Sequence, residues 1–245
     1  MGKAEEKQYF DEAFASSARE SVWKYYTLIR ICEEDYDQSI LSGCKDKRIL
    51  EYGCGEGSRS FDLAKAGALV HGIDISSVGI DMARQKVSDL GLTKAEFSEM
   101  DAENLTFGDD TFDRVCGTGI LHHLDLDKSL AEVSRVLVPD GKAVFMEPLG
   151  HNPAINAFRN RTPHLRTKDE HPLKAADLKL CRHYFGKVEV RYYALFALLL
   201  APFLNKPGSG GLLKFLQAID RVVFRILPPL GLLAWYSVIT LREPR

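Results

Sequence analysis

Apolar and polar positions alternate along residues 48–146 in a pattern that predicts strand and helix in turn. The pair Ile49-Leu50 reads as a buried strand over 48–54, and helix-forming sequence at 58–67 follows, closed by Gly67. A second strand is predicted over 69–75. Ser76-Ser77 then caps a helix that carries Ile80, Met82, Ala83 and Val87 on one face and stops near Gly91. Strands follow at 95–100 and at 112–117, the latter after the turn Gly108-Asp109-Asp110. A helix at 127–138, a tight turn at Pro139-Asp140-Gly141 and a strand at 142–146 complete the run. Strands and helices alternating through short links predict an α/β fold, a Rossmann-like parallel sheet doubly wound by helices on both faces.

The flanks add to this picture. Residues 9–36 predict a helix, because Phe10, Phe14, Val22, Tyr25, Tyr26, Ile29 and Cys32 recur at helical spacing. Packing against the sheet is the plain reading of these aromatics; a lid over a ligand, with Tyr9, Trp23 and Tyr25 as contacts, is the functional one. Downstream, 187–193 and 234–242 predict strands, separated by an apolar insertion at 194–233. In its second half Leu213, Leu216, Ile219, Val223, Ile226 and Leu227 alternate with Lys214, Asp220, Arg221 and Arg225, which predicts an amphipathic helix. Neither half reaches the ~20 apolar residues of a membrane span. The insertion is open to use as a lid on a lipophilic acceptor, a patch on a membrane surface, a homodimer interface, or cover for the protein's own sheet. The expected organisation is a single domain over 1–245, with a helical cover (1–44), a ligand-binding core (45–150) and an acceptor-side segment (151–245).

Composition narrows the function. The chain has 245 residues, 45% of them hydrophobic, and a net charge of −2, so it lacks the basic surface that nucleic-acid binding requires. Five cysteines (Cys32, Cys44, Cys54, Cys116, Cys181) are scattered with no Cys-x-x-Cys pair, which suits a reducing compartment. The charged N-terminus has no apolar core of a secretory signal, so the expected location is cytoplasmic, with membrane association left to the insertion.

The candidate chemistry centres on Glu51-Tyr52-Gly53-Cys54-Gly55-Glu56-Gly57-Ser58. Strand, glycine loop and helix bring bare backbone against a nucleotide-like ligand. Ser58 occupies the third-glycine position of the dinucleotide fingerprint, and no Gly-Lys-Ser/Thr follows for a phosphate loop. Glu51 would repel a pyrophosphate but suits an ammonium group, which points to S-adenosylmethionine. Asp74, ending the second strand, can accept both hydroxyls of a ribose. Asp101, ending the third, can accept from an adenine amino group while the Ala102 backbone meets the adjacent ring nitrogen.

These residues resemble the class I S-adenosylmethionine-dependent methyltransferases, in particular the small-molecule group that includes the ubiquinone and menaquinone enzymes. The matching pieces lie within about residues 45–150: Ile-Leu-Glu-Tyr-Gly-Cys-Gly-Glu-Gly, Gly-Ile-Asp-Ile-Ser, Met-Asp-Ala-Glu-Asn-Leu, Phe-Asp-Arg-Val-Cys-Gly-Thr-Gly-Ile-Leu-His-His-Leu and Val-Leu-Val-Pro-Asp-Gly-Lys-Ala-Val-Phe-Met-Glu-Pro. The resemblance implies a seven-stranded sheet whose last strand is antiparallel. It also implies Glu51, Gly53 and Gly55 at the methionine moiety, Asp74 at the ribose, and Asp101 with Ala102 at the adenine. Cys54, Gly57, Ile75, Glu103 and Gly117 complete the expected cofactor set. Tyr52 stands where many relatives carry a smaller or apolar residue, and Gly117-Thr118-Gly119 is richer in glycine than usual.

Methyl transfer from a sulfonium is an in-line displacement, so the protein has to align the nucleophile, exclude water and, for a protonated acceptor, remove a proton. His122, His151 and His164 are the candidate catalytic residues; His123, His171 and Glu147 are further ionisable groups in the same region. Because His122 and His123 are adjacent, their side chains are expected to point apart. The polar stretch 147–172, with Asn152, Arg159, Arg161 and Arg166, is expected to wall the acceptor pocket. No metal is expected, since the histidine spacing matches no ligand motif. The leading expectation is methyl transfer to a small, apolar or ring-containing metabolite, quinone-, lipid- or natural-product-like. The alternatives are a non-catalytic S-adenosylmethionine-binding protein with a docking insertion, or a protein or nucleic-acid methyltransferase.

Overall fold

The structure, a computed structural model, describes residues 3–14, 23–163, 167, 170–204, 206 and 208–245. Seven strands form one sheet: β1 (Arg48–Tyr52), β2 (Leu69–Asp74), β3 (Ala95–Glu99), β4 (Phe112–Thr118), β5 (Leu137–Pro148), β6 (Phe185–Tyr193) and β7 (Tyr236–Pro244). Their order is β3-β2-β1-β4-β5-β7-β6, with β7 antiparallel to both β5 and β6 and the rest parallel. The expected seven-stranded sheet with an antiparallel last strand is therefore present.

Period-two alternation decides which face each strand residue serves. Leu50, Val115, Phe145 and Ile239 enter one core, and their chain neighbours Ile49, Cys116, Val144 and Val238 enter the other. Both sets are buried, so these strands read as apolar runs, as expected of a sheet covered on both sides. Helices α6 (Leu126–Val136) and α8 (Ala175–Tyr184) supply residues to the first core. Helices α3 (Arg30–Leu41), α4 (Ser58–Lys65) and α5 (Ser77–Leu90) supply the second. Ser76 caps α5 by accepting the Gly79 N–H, and Gly91 ends it in the left-handed conformation.

Several boundaries differ from expectation; the tight turn expected at Pro139-Asp140-Gly141 lies within β5 (Leu137–Pro148). The helix read over 9–36 is α1 (Lys3–Phe14), a short α2 (Trp23–Tyr26), a 3-10 turn (Thr27–Ile29) and α3, with residues 15–22 outside the described set. The 3-10 turn and α3 bury residues in the core, whereas α1 buries none. Residues Pro153–Arg161, within the polar stretch, form helix α7, because Asn152 accepts the Ala154 and Ile155 N–H groups and Pro153 fits the first turn. The insertion folds as a 3-10 segment (Ala197–Phe203), helix α9 (Ser209–Ile226) and a second 3-10 segment (Pro228–Leu233).

Topology fixes where a ligand would sit. Strand order runs 3-2-1 and then jumps to 4, so the carboxyl ends of β1 and β4 diverge into a crevice. The insertion follows the carboxyl end of β6, which runs parallel to β5, and so it leaves the sheet at the same edge.

Candidate active site

A cavity of about 380 Å³ opens at that crevice. The loop after β1 enters it because Gly53 and Gly55 hold φ of +68° and +50°, conformations that carry little cost only for glycine. A Cβ at Gly53 would lie 2.7 Å from Ile120 and one at Gly55 would lie 2.8 Å from Phe14.

Of the expected cofactor residues, Glu51, Gly53, Cys54, Gly55, Asp74, Ile75, Asp101 and Ala102 line this cavity. Three are placed elsewhere. Gly57 is buried at the start of α4, where a Cβ would meet the Phe97 and Phe61 rings at 2.9 and 3.1 Å; it is a packing glycine. Gly117 packs under the Tyr52 carbonyl, 2.8 Å from its would-be Cβ, and the next two residues, Thr118 and Gly119, face the cavity instead. Glu103 turns to a neighbouring cavity, where it accepts from Lys3 Nζ at 2.8 Å and from the Asp125 N–H at 2.9 Å.

The acids at the strand ends are held by backbone. Asp74 accepts the Gly55 N–H through Oδ2 and the Ser76 N–H through Oδ1, both at 2.8 Å. Each oxygen keeps a second acceptor direction. Asp101 accepts the Glu103 N–H at 2.9 Å and lies 3.3 Å from Lys3 Nζ. Tyr52 is fully buried and its hydroxyl donates to the Ala102 carbonyl, which ties the end of β1 to the turn after β3. Glu51 is 6% exposed, and its Oε2 accepts the Ser60 N–H at 2.8 Å together with the Ser60 hydroxyl. Burial pushes its carboxyl up to about 7, against the Ser60 hydrogen bonds that pull it down.

Helix α1 lines the cavity, though not through the lid contact expected of Tyr9. Lys3, Glu6, Phe10 and Phe14 line the wall, whereas Tyr9 packs edge-on to Phe10 and Tyr25 edge-on to Phe158. The side chain of Trp23 lies outside the described set. Asp11 anchors the helix by accepting from the Ser76 hydroxyl and the Val78 N–H at the start of α5. The 3.6-residue spacing contained Phe10 and Phe14 but could not say whether they faced sheet or ligand.

The cavity wall carries five carboxylates (Glu6, Glu51, Glu56, Asp74, Asp101) against two permanent cations (Lys3, Arg59). Such a lining disfavours a polyphosphate and favours a ligand bearing positive charge. If a cofactor ammonium meets Glu51, its affinity should fall as pH drops, because protonation of Glu51 at about 7 removes the attraction. Between about pH 7.5 and pH 6 the expected weakening approaches tenfold in calorimetric Kd, and Glu51→Gln should abolish it. A pH-independent Kd in the wild type would remove Glu51 from that role. Without ligand the sign reverses: a carboxyl raised above its unfolded value of 4.5 favours the folded state in acid, and that contribution is lost as pH rises through 7.

A second cavity of about 420 Å³ shares Lys3, Glu6, His123 and Leu124 with the first and adds Glu103, Asp125, Thr167 and His171. Beside it, Glu147 is wholly buried. Its Oε1 accepts the Ile120 and Leu121 N–H groups at 2.9 and 2.8 Å, and its Oε2 lies 2.7 Å from His122 Nδ1. The His122 and His123 rings do not point apart: within the 3-10 turn Leu121–His123 they lie 4.1 Å between centroids at 39°. His123 faces both cavities, and its Nδ1 is 3.2 Å from Thr167 Oγ1. His122, 6% exposed, sits behind Gly119, its Cε1 3.6 Å from where a Cβ there would be. His151 is not brought to either cavity: the turn between β5 and α7 aims it at α8, where Nε2 accepts the Ala175 N–H at 3.1 Å. His164 and Arg166 lie outside the described residues. Arg159 donates to the Leu149 carbonyl at 2.9 Å and so braces the turn. Among the described residues, His122, His123 and Glu170 form a group that could hold a metal ion, their donor atoms within 4.8 Å of one another.

A doubly wound sheet in this order, with a glycine loop after β1, acids closing β2 and β3 and an acidic cavity between them, defines the class I nucleoside-sulfonium-binding fold. The family model described as "Methyltransferase domain" matches residues 49–141. An uncharacterized methyltransferase of Geobacillus kaustophilus is 31% identical over 187 residues, covering 73% of this chain and 81% of that one. The chain belongs to the S-adenosylmethionine-dependent methyltransferases. It is also similar to the methyltransferase GfsG of Streptomyces halstedii, 34% identical over 116 residues, 46% of this chain and 41% of that one. The chain spans between about a third and a half of the length of the first curated relatives it matches. In fold it resembles phosphoethanolamine N-methyltransferase 2 of Haemonchus contortus in complex with S-adenosyl-L-methionine, with a TM-score of 0.68 and 15% identity over 98% of this chain and 60% of that one.

Proposed function

We propose that this chain transfers the methyl group of S-adenosylmethionine to a small, apolar or ring-containing acceptor, quinone-, lipid- or natural-product-like, held in the cavity beside the cofactor. The observation that carries this reading is the shared wall of the two cavities, where His123 and Leu124 face both. A cofactor in the first cavity and the polar, reacting end of an acceptor in the second would meet across that wall. The second cavity is lined by Lys3, Glu6, Glu103, Asp125, Thr167 and His171, so it suits the acceptor's polar group, with the apolar body outside it. In this reading Glu51, Gly53 and Gly55 hold the methionine end, Asp74 accepts from the ribose hydroxyls, and Asp101 with the Ala102 backbone holds the adenine. Phe10 and Phe14 cover the nucleoside and exclude water. S-adenosylmethionine supplies the activated methyl group; the sulfur leaves with the bonding pair as the acceptor atom forms its bond to carbon. For a hydroxyl acceptor, His123 is the group placed to take the proton, with His122 held in position behind it by Glu147. Similarity to a ubiquinone biosynthesis O-methyltransferase of Alkalilimnicola ehrlichii, 32% identical over 125 residues, and to a fatty-acid O-methyltransferase of Mycolicibacterium smegmatis, 38% identical over 104, supports an apolar acceptor class.

The test is turnover of the purified chain with S-adenosylmethionine against hydroxylated quinones, fatty acids and small phenols, read as S-adenosylhomocysteine release. Release with at least one class supports the reading. Calorimetric cofactor binding without release across all three would leave a binding protein, and release only with a peptide or nucleic acid would reassign the acceptor.

A further inference from the structure

Helix α9 packs Leu213 and Phe224 against the two cores and turns another part of its apolar side outward. On a projection of about 100° per residue, Leu212, Phe215, Val222 and Ile226 fall within one arc of about 80°. All four are exposed, Phe215 by 61% and Ile226 by 68%, and Leu227 continues the strip. The same projection puts Lys214, Arg221 and Arg225 in a narrow arc about a third of a turn away, also exposed. The one acid of the insertion, Asp220, points inward. It is 3% exposed and accepts the N–H groups of Leu195, Phe196 and Ala197 through its two oxygens, at 2.7 to 3.4 Å. That clamp fixes the rotation of α9, so the outward apolar strip is built in and the helix cannot roll to bury it.

We infer that this face docks the protein on an anionic lipid surface, with the apolar strip entering the interface and the flanking Lys214, Arg221 and Arg225 at headgroup level. Three observations select that occupant. Every exposed charge on α9 is positive, so the strip is bordered by charge opposite in sign to the chain's net −2. Lys206, just before the helix, lies 5.0 Å from the Phe203 ring centroid and adds a fourth cation beside another exposed apolar residue. A helix with an apolar strip bordered by Lys and Arg is the form that lies in the interface plane, and no described helix is long and apolar enough to cross it. A second copy of the chain would instead bring four like charges against four around a twofold axis, which opposes pairing. The insertion leaves the sheet at the edge where the cavities open, so docking would present that edge toward the lipid. The inference concerns binding alone and does not rest on the proposed methyl acceptor.

The experiment is flotation of the full chain with vesicles of phosphatidylcholine, with and without an equal share of phosphatidylglycerol, at about 50 and 300 mM salt. The expected result is at least tenfold more protein floating with the anionic vesicles at low salt, a difference reduced severalfold at high salt. Phe215→Glu with Ile226→Glu should abolish flotation. Arg221→Glu with Arg225→Glu should remove the anionic preference, and both pairs should bind S-adenosylmethionine as the wild type does, which reports an intact fold. Absence of wild-type flotation, flotation indifferent to lipid charge, or flotation unaffected by both pairs would overturn the inference. So would a concentration-dependent dimer in light scattering that the Phe215/Ile226 pair dissociates.

Discussion

Asp74→Ala is expected to weaken S-adenosylmethionine binding by about 100-fold. The carboxylate accepts the Gly55 and Ser76 N–H groups, and its remaining acceptor directions are those proposed for the ribose hydroxyls. Loss of hydrogen bonds to a charged group costs about 1.5–3 kcal/mol, or roughly 10- to 150-fold in Kd. Release of the Gly55 N–H also frees the glycine loop from β2, which places the estimate toward the upper end. Asp74→Asn keeps one carbonyl acceptor and should lose about tenfold. Calorimetry on both variants is the measurement; wild-type affinity in the alanine variant would take Asp74 out of the binding site.

Glu147→Leu is expected to lower the stability of the fold by about 3–5 kcal/mol. The carboxylate is 0% exposed and satisfies the Ile120 and Leu121 N–H groups as well as the His122 ring. Each donor orphaned without water costs about 1–3 kcal/mol. For a chain of this size the loss corresponds to a fall in Tm of about 10 °C. Glu147→Gln retains an oxygen for the two N–H groups and should cost under half as much. Thermal unfolding of the pair separates a structural anchor from a residue of no consequence: equal, small shifts in both would show that the anchor is not needed.

The core of the fold was legible because burial on both faces of a parallel sheet forces continuous apolar strands, and short links leave few ways to connect them. The sequence put acids at the carboxyl ends of β2 and β3, where Asp74 and Asp101 line the cavity, but it could not show that they also accept the Ser76 and Glu103 N–H groups as turn formers. The glycines were less transparent. Gly53, Gly55, Gly57 and Gly117 look alike in sequence, yet two line the cavity beside Ile120 and Phe14, and two make room for Phe97, Phe61 and the Tyr52 carbonyl. Spacing reports that a backbone must approach something closely; it does not report what. The second cavity was least legible, because its lining comes from Lys3, Glu6, His123, Thr167 and His171, residues far apart in the chain and joined only by the fold. The insertion pattern predicted an amphipathic helix but not which face was outward. That depended on Asp220, which reads as one more solvent-side charge and is a buried clamp.

Helix α1 has a consequence for the order in which the molecule is completed. It is the first described element to be synthesised, yet no residue in it is buried in a core, and twelve residues are too few for a helix to hold itself in water. Its partners arrive later: Ser76 and Val78 for Asp11, Glu99 for Lys7, Glu103 for Lys3. About a hundred residues must therefore leave the ribosome and assemble a sheet before the N-terminus has a surface to settle on. The part of the cavity wall that α1 supplies is thus made before the elements it rests on and put in place after them.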